Sequence, residues 1–427
     1  MAKYIIRGGK KLYGKIHIEK SKNAILPIMA ASLLVSGKTT ITDIPKFSDI
    51  QAMQKIIESL GAKITYNQND MTIDASNITI TNITCPEAKK IRASVFLMGP
   101  VLSRMRTCTM TKPGGCAIGA RPIDIHLAGL QKLGAKIIET DSEVICTLED
   151  FVGGVVNLRM PSVGATENLI MCSVLGDKTT IIKNAAKEPE VEDLCKFLKM
   201  AGANISGEGT DIITIVGTKA LKQITYTPIS DRIVAGTYML AVALCGGKIE
   251  ICGTNAKYNQ RLIELLTRFG CNISTKSDKL YIVSNGCLHA NCNIVTGPYP
   301  EFATDLQSQT MALLAAIDGT STITENMFES RFKHIPEFVK MGANIEYSAN
   351  VATIFGKTNC YHGANVTCYD LRGGAALVIS ALSAKGTTQI NNIEFVERGY
   401  EKIEQKLALI GADIHRIEDE EKEHNWS

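Results

Sequence analysis

One cysteine, Cys116, stands in the run Pro113-Gly114-Gly115-Cys116-Ala117-Ile118-Gly119-Ala120-Arg121-Pro122. The glycines leave that backbone free to move and Arg121 follows closely, conditions that favour thiolate and acid–base chemistry. Most cysteines are inert core residues, and Cys172 and Cys245, set inside apolar runs, fit that plainer reading. Polar and charged groups recur where apolar helical runs begin: Lys22-Asn23, Arg92, Thr166-Glu167-Asn168, Asp231-Arg232, Thr304-Asp305 and Asp370-Leu371-Arg372. Capping accounts for Thr304 and Asp370. It does not account for Lys22, Arg92 or Arg372, because a cation at the positive end of a helix is unfavourable unless an anion lies between them. Further loops carry Lys187-Glu188-Pro189-Glu190, Glu329 and Arg331, and Glu397 and Arg398. Taken singly, each arginine reads as a surface salt bridge. Gathered at equivalent positions around one cleft, Lys22, Arg92, Arg121, Arg331, Arg372 and Arg398 would bind a phosphorylated polyanion against helix N-termini.

The elements that position these residues repeat. Leu60-Gly61-Ala62-Lys63-Ile64 returns as Gly134-Ala135-Lys136-Ile137, Gly202-Ala203-Asn204-Ile205, Gly270-Cys271-Asn272-Ile273, Gly342-Ala343-Asn344-Ile345 and Gly411-Ala412-Asp413-Ile414, at steps of about seventy residues. A second marker, Gly37-Lys38-Thr39-Thr40-Ile41, keeps the same step, with a degenerate copy at 105–110. Solenoid repeats are usually shorter and end in polar caps. Six runs (24–34, 95–102, 169–175, 233–244, 311–317 and 375–382) are apolar on nearly every side and predict buried helices. The marker strands alternate, so one face meets solvent. A doubly wound sheet has the reverse pattern. The expected fold is therefore α/β, with helices inside and sheets outside. Six units make two domains of three: 22–229, carrying the Cys116 loop, and 1–21 with 230–427. The site lies in the cleft between them.

At 427 residues the chain exceeds one core. Thirteen cysteines without a C-x-x-C pair argue against a zinc site or a disulfide framework and for a reducing, cytoplasmic setting. No N-terminal run suits a signal peptide, and the longest apolar runs are too short to span a bilayer, so no membrane insertion is expected. A net charge of +3 is too slight to imply nucleic acid. Gly9-x4-Gly14-Lys15 lacks the Ser or Thr of a P-loop, no G-x-G-x-x-G opens a helix, and no H-E-x-x-H is present. Neither cofactor nor metal is expected.

The sequence resembles the UDP-N-acetylglucosamine 1-carboxyvinyltransferase family of enolpyruvyl transferases from about Tyr4 to Ile417. The resemblance rests on Ser21-Lys22-Asn23-Ala24, Arg92-Ala93-Ser94, Pro113–Cys116, Gly119–Asp124, Ser162–Thr166, Glu188-Pro189-Glu190, Thr304-Asp305, Glu329–Phe332, Asp370–Arg372 and Arg398–Glu401. It implies an inside-out α/β barrel of two domains, with phosphoenolpyruvate and UDP-N-acetylglucosamine as substrates. It implies that Lys22, Asn23, Arg121, Arg331, Asp370, Arg372 and Arg398 surround phosphoenolpyruvate. UDP-N-acetylglucosamine would lie along Arg92, Arg121, Pro122, Ile123, Asp124, Ile125, Pro161, Ser162, Val163, Gly164, Asp305 and Met327. Cys116 takes the part of proton donor and adduct-forming thiol, Asp305 that of base, and Lys22 and Arg398 join them as catalytic cations. Met160-Pro161 stands where a lysine is common, and Gly373-Gly374 follows Arg372. The related family of 5-enolpyruvylshikimate-3-phosphate synthases lacks the cysteine loop. A silent UDP-sugar-binding protein would have lost Cys116 or Asp305.

Overall fold

Each recurring glycine ends a helix. Gly61, Gly134, Gly202, Gly270, Gly342 and Gly411 have φ between +101° and +114°, the left-handed region in which glycine closes a helix without a Cβ penalty. A strand begins two or three residues beyond each: Lys63–Asn67, Lys136–Glu139, Asn204–Ser206, Asn272–Lys276, Ile345–Ser348 and Asp413–Glu418. The computed structural model describes residues 2–112, 118, 119 and 122–418. Cys116 and Arg121 lie outside the described residues.

Fourteen α-helices and six four-stranded sheets form among the described residues. All six sheets share one order. A short strand runs parallel to the marker strand, a third lies antiparallel on its other side, and the strand after the glycine forms the edge. In the first, Thr40 of Lys38–Ile41 faces Thr225 of the parallel Ile224–Tyr226 and Thr72 of the antiparallel Asp70–Asp74. The degenerate marker forms Thr107–Thr111, which takes the corresponding place between Asn82–Ile83 and Glu143–Thr147. The N-terminal strands join sheets of the C-terminal half. Ala2–Arg7 enters between Thr387–Asn391 and Asp413–Glu418, and Leu12–His17 runs parallel to Gly247–Cys252.

The apolar runs form buried helices: Lys22–Ala31, Met98–Met105, Val163–Ser173, Arg232–Cys245, Gln307–Ala315 and Leu371–Ser383. Every residue of Gln307–Ala315 is buried, whereas Gln260–Phe269 buries only Leu262, Leu265, Leu266 and Phe269 on one face. Their side chains fall into two cores. One is built from residues between Ile25 and Tyr226, the other from Tyr4–Ile18 together with Ile233–Ile414. The chain crosses between them twice, and the crossings are hydrogen-bonded: Ser21 N–H donates to Ile229 O at 2.8 Å and Asp231 N–H to Glu19 O at 2.9 Å.

Three helix starts differ from the sequence reading. Thr166-Glu167-Asn168 is not a start, because Ser162 in extended conformation accepts Ala165 N–H and begins the helix at Val163. Thr304 is not a cap: its hydroxyl donates to Glu325 Oε2 at 2.9 Å, Thr304–Leu306 is a 3₁₀ turn, and the helix follows from Gln307. Arg92 opens a 3₁₀ segment, Arg92–Leu97, ahead of the α-helix.

Candidate active site

Lys22 is the first residue of its helix, and an anion does lie beside it. Its Nζ donates to Asp49 Oδ2 at 3.1 Å. Asp49 sits in the first turn of the amphipathic helix Ser48–Ser59, whose buried Ile50, Met53, Ile56 and Ile57 fix it against the first core. The same carboxylate accepts Arg398 Nε at 2.9 Å on Oδ1 and Arg398 Nη2 at 3.3 Å on Oδ2. Arg398 follows the short helix Glu394–Glu397, which places Val396 in the other core. Burial alone would raise the Asp49 carboxyl, but Lys22 and Arg398 outweigh it and hold it below the usual range. Burial lowers the Lys22 ammonium; Asp49 opposes this, and Arg372 and Arg398 add to it. Lys22 therefore feels cations from the other half of the chain.

A second carboxylate does the same among residues of the C-terminal half. The helices Arg232–Cys245, Gln307–Ala315 and Leu371–Ser383 pack on one another. Asp305 lies in the turn before the second and Arg372 near the start of the third. Asp305 Oδ1 accepts Arg331 Nη2 at 2.8 Å and Oδ2 accepts Arg372 Nη2 at 2.9 Å. Burial works to raise this carboxyl, yet Arg372 and then Arg331 pull it far below the carboxylate range. Arg372 is held from behind by Tyr400, whose hydroxyl accepts Nη1 at 3.3 Å and whose ring lies 5.7 Å from the guanidinium. Asp370 spends its Oδ1 on the backbone N–H groups of Arg372 and Gly373, so its contact with the site runs through that helix start. Arg232 follows suit: it meets Glu190 at 3.0 Å and stacks on Tyr299.

The sugar-nucleotide residues of the sequence reading form a second group, mostly on elements of the first core. Arg92 donates to Pro122 O at 3.4 Å. Ile123 precedes the helix Asp124–Lys132, which carries Asp124, paired with Arg159, and Ile125. Pro161, Ser162, Val163 and Gly164 are half-buried around the start of the Val163–Ser173 helix. Asn168, fully buried, gathers this group: its amide oxygen accepts Gly99 N–H at 2.7 Å while its nitrogen meets Val95 O and His126 Nδ1, each at 3.0 Å. Met327 comes from the C-terminal half, its N–H bonded to Glu325 Oε1 at 2.8 Å. Asn23 is half-buried at the second position of the Lys22–Ala31 helix. Core thiols are held inert, burial pushing Cys172 and Cys245 up to about 12.

Sequence reasoning missed Asp49, which reads as an ordinary acidic residue at the start of an amphipathic helix. It also missed Glu325, Tyr400 as a brace, and His334, whose partners lie far away in the sequence. His334 is 2 % exposed beside Arg331 and Asp370. Burial depresses it to about 4; Asp370 opposes this and Arg331 reinforces it. Between that value and the ordinary histidine range the unfolded chain binds more protons, so stability rises with pH across the window. Denaturant unfolding should therefore show a loss of about 2–3 kcal/mol on acidification from pH 6.5 to 4 that is missing in His334→Leu. An identical pH slope in the variant would assign the loss elsewhere.

Among the described residues no group of His, Cys, Asp and Glu could hold a metal ion, and no helix is long and apolar enough to cross a membrane. The family model of EPSP synthase (3-phosphoshikimate 1-carboxyvinyltransferase) matches residues 6–407. UDP-N-acetylglucosamine 1-carboxyvinyltransferase 2 of Clostridium tetani is 44% identical over 98% of this chain and 100% of its own length. The protein of the same name from Caldanaerobacter subterraneus is 43% identical with the same coverage. Among solved structures, the enolpyruvyl transferase NikO from Streptomyces tendae superposes with a TM-score of 0.88 at 22% identity, covering 97% of this chain and 98% of its own. EPSP synthase from Acinetobacter baumannii gives 0.75 at 17% identity, covering 98% of this chain and 100% of its own. Full-length identity to these transferases, on a shared fold with paired cations at its helix starts, establishes that the chain belongs to the EPSP synthase family, alongside its UDP-N-acetylglucosamine 1-carboxyvinyltransferases.

Proposed function

We propose that this protein transfers the enolpyruvyl group of phosphoenolpyruvate to the 3-hydroxyl of UDP-N-acetylglucosamine with release of phosphate, the first committed step of peptidoglycan synthesis in the cytoplasm. The observation that carries this reading is the pair of carboxylates, Asp49 and Asp305, lodged among Lys22, Arg398, Arg331 and Arg372. Lys22, Arg331 and Arg372 are buried, and cations of this density need anions; in the free protein its own side chains supply them. Phosphoenolpyruvate, bearing a phosphate and a carboxylate, is the ligand that displaces both. In the finer reading of the fold, the six sheets are six repeats of an inside-out α/β barrel. Residues 22–229 and 1–21 with 230–427 are then two domains closing over the substrates, hinged at the paired crossings.

The exchange has a chemical consequence. While two guanidinium groups hold Asp305, its carboxylate is a poor base. When substrate oxygens take over Arg331 and Arg372, Asp305 regains basicity and draws the proton from the sugar 3-hydroxyl. Cys116 gives its proton to the methylene carbon of phosphoenolpyruvate, leaving C2 electron-poor, and the alkoxide bonds to C2. The tetrahedral adduct then loses a methyl proton back to the Cys116 thiolate as the C2–O bond to phosphate breaks; the hydroxyl's proton leaves with phosphate. Lys22, Asn23, Arg121 and Arg398 hold the phosphate and carboxylate, with Asp370 fixing the helix start beneath. Arg92, Pro122–Ile125, Pro161–Gly164 and Met327 hold the sugar nucleotide. Positioning and fixed charge supply the larger share of the acceleration.

Phosphate release should require phosphoenolpyruvate and UDP-N-acetylglucosamine together, and shikimate 3-phosphate should not replace the sugar nucleotide. Turnover with shikimate 3-phosphate alone would transfer the protein to the other branch of its family. No turnover with either would support a silent binding protein.

A further inference from the structure

Glu325 is 3 % exposed, and its hydrogen bonds join three separate segments of the site. Its Oε1 accepts the Thr296 hydroxyl at 2.9 Å, Met327 N–H at 2.8 Å and Phe328 N–H at 3.3 Å, and its Oε2 accepts the Thr304 hydroxyl at 2.9 Å. Thr296 closes the frame, its hydroxyl oxygen accepting Asn326 N–H at 3.0 Å. Thr304 is the residue before Asp305 and opens its 3₁₀ turn. Its carbonyl also accepts Arg331 Nη2 at 3.2 Å, the same nitrogen that reaches Asp305. Phe328, whose N–H is held by Glu325, stacks on the Arg331 guanidinium at 5.5 Å. One buried carboxylate thus ties the turn that aims Asp305 to the loop that delivers Met327 and Arg331. A carboxylate offers the several lone pairs on two oxygens that this frame consumes.

We propose that Glu325 is a positioning residue for Asp305: it fixes the Thr304–Leu306 turn to the 326–331 loop so that Asp305 lies on the proton of the acceptor hydroxyl once Arg331 turns to the substrate. This rests on the enolpyruvyl-transfer reading, in which Asp305 is the base. The frame is made of hydrogen bonds, and net charge is secondary to it. Glutamine serves nearly as well, keeping an oxygen for Thr296, Met327 and Phe328 and offering an N–H to the Thr304 hydroxyl. Alanine leaves two backbone N–H groups and two hydroxyls without their acceptor.

The test compares Glu325→Ala, Glu325→Gln and the parent in steady-state phosphate release, with intact-mass detection of the phosphoenolpyruvate adduct on Cys116 as an independent check on folding and substrate binding. Glu325→Ala is expected to lose about 10–100-fold in kcat with KM for phosphoenolpyruvate within about threefold, consistent with misplacement of a catalytic group. It should still form the adduct, and Glu325→Gln should recover to within about threefold of the parent. Parental kcat in Glu325→Ala, loss of the adduct along with turnover, or a Gln variant as impaired as the Ala variant would each overturn the assignment. A parent with neither adduct nor turnover would instead sink the enolpyruvyl-transfer reading, and this inference with it.

Discussion

Asp305→Asn is expected to reduce kcat by about 10²–10⁴-fold, the range for loss of a positioned base. The amide keeps the shape of the carboxylate and removes both its basicity and its charge. It also removes the anion that competes with substrate for Arg331 and Arg372, which it now holds at 2.8 and 2.9 Å. KM for phosphoenolpyruvate should therefore hold or fall while kcat collapses. Such a split separates loss of a base from loss of a binding group. Steady-state phosphate release measures both constants. A kcat within about tenfold of the parent would remove Asp305 from the role of base.

Asp49→Ala is the larger test of stability. Lys22 and Asp49 are buried, and the carboxylate also receives Arg398, so its removal leaves two cations facing each other without an anion. Breaking a buried pair from one side typically costs about 3–5 kcal/mol. The loss should be greatest in ligand-free protein and shrink on addition of phosphoenolpyruvate, because the substrate then supplies the missing charge. Denaturant melts with and without the ligand measure the difference. An equal loss in both would show that Asp49 is not holding the place of substrate.

Much of this arrangement was readable from residue types alone. The six recurring glycines marked one repeated unit, and the all-round apolar runs predicted buried helices. Lys22 and Arg372 announced an anion through their placement at helix starts. The identity of that anion was not readable. Asp49 and Arg398 are separated by most of the chain, and their meeting depends on how two cores pack together. Thr304 misled for a related reason. Its hydroxyl can cap a helix or donate to a carboxylate, and only the fold brings Glu325 within 2.9 Å. Ser162, one segment earlier than the expected start, won its cap because its backbone is extended while that of Thr166 is already helical.

The central claim is that one thiol, Cys116, reacts beside fixed cations that recognise phosphoenolpyruvate. Intact-mass and peptide-mapping analysis after exposure to phosphoenolpyruvate with UDP-N-acetylglucosamine, and separately to an epoxide analogue such as fosfomycin, addresses it directly. Among the twelve described cysteines Cys287 is the exposed one, so unguided thiol chemistry would mark it. The account predicts a single adduct on Cys116, lost in Cys116→Ser along with sensitivity to the epoxide. Modification of Cys287 in preference to Cys116, or unchanged turnover and inactivation in Cys116→Ser, would contradict it.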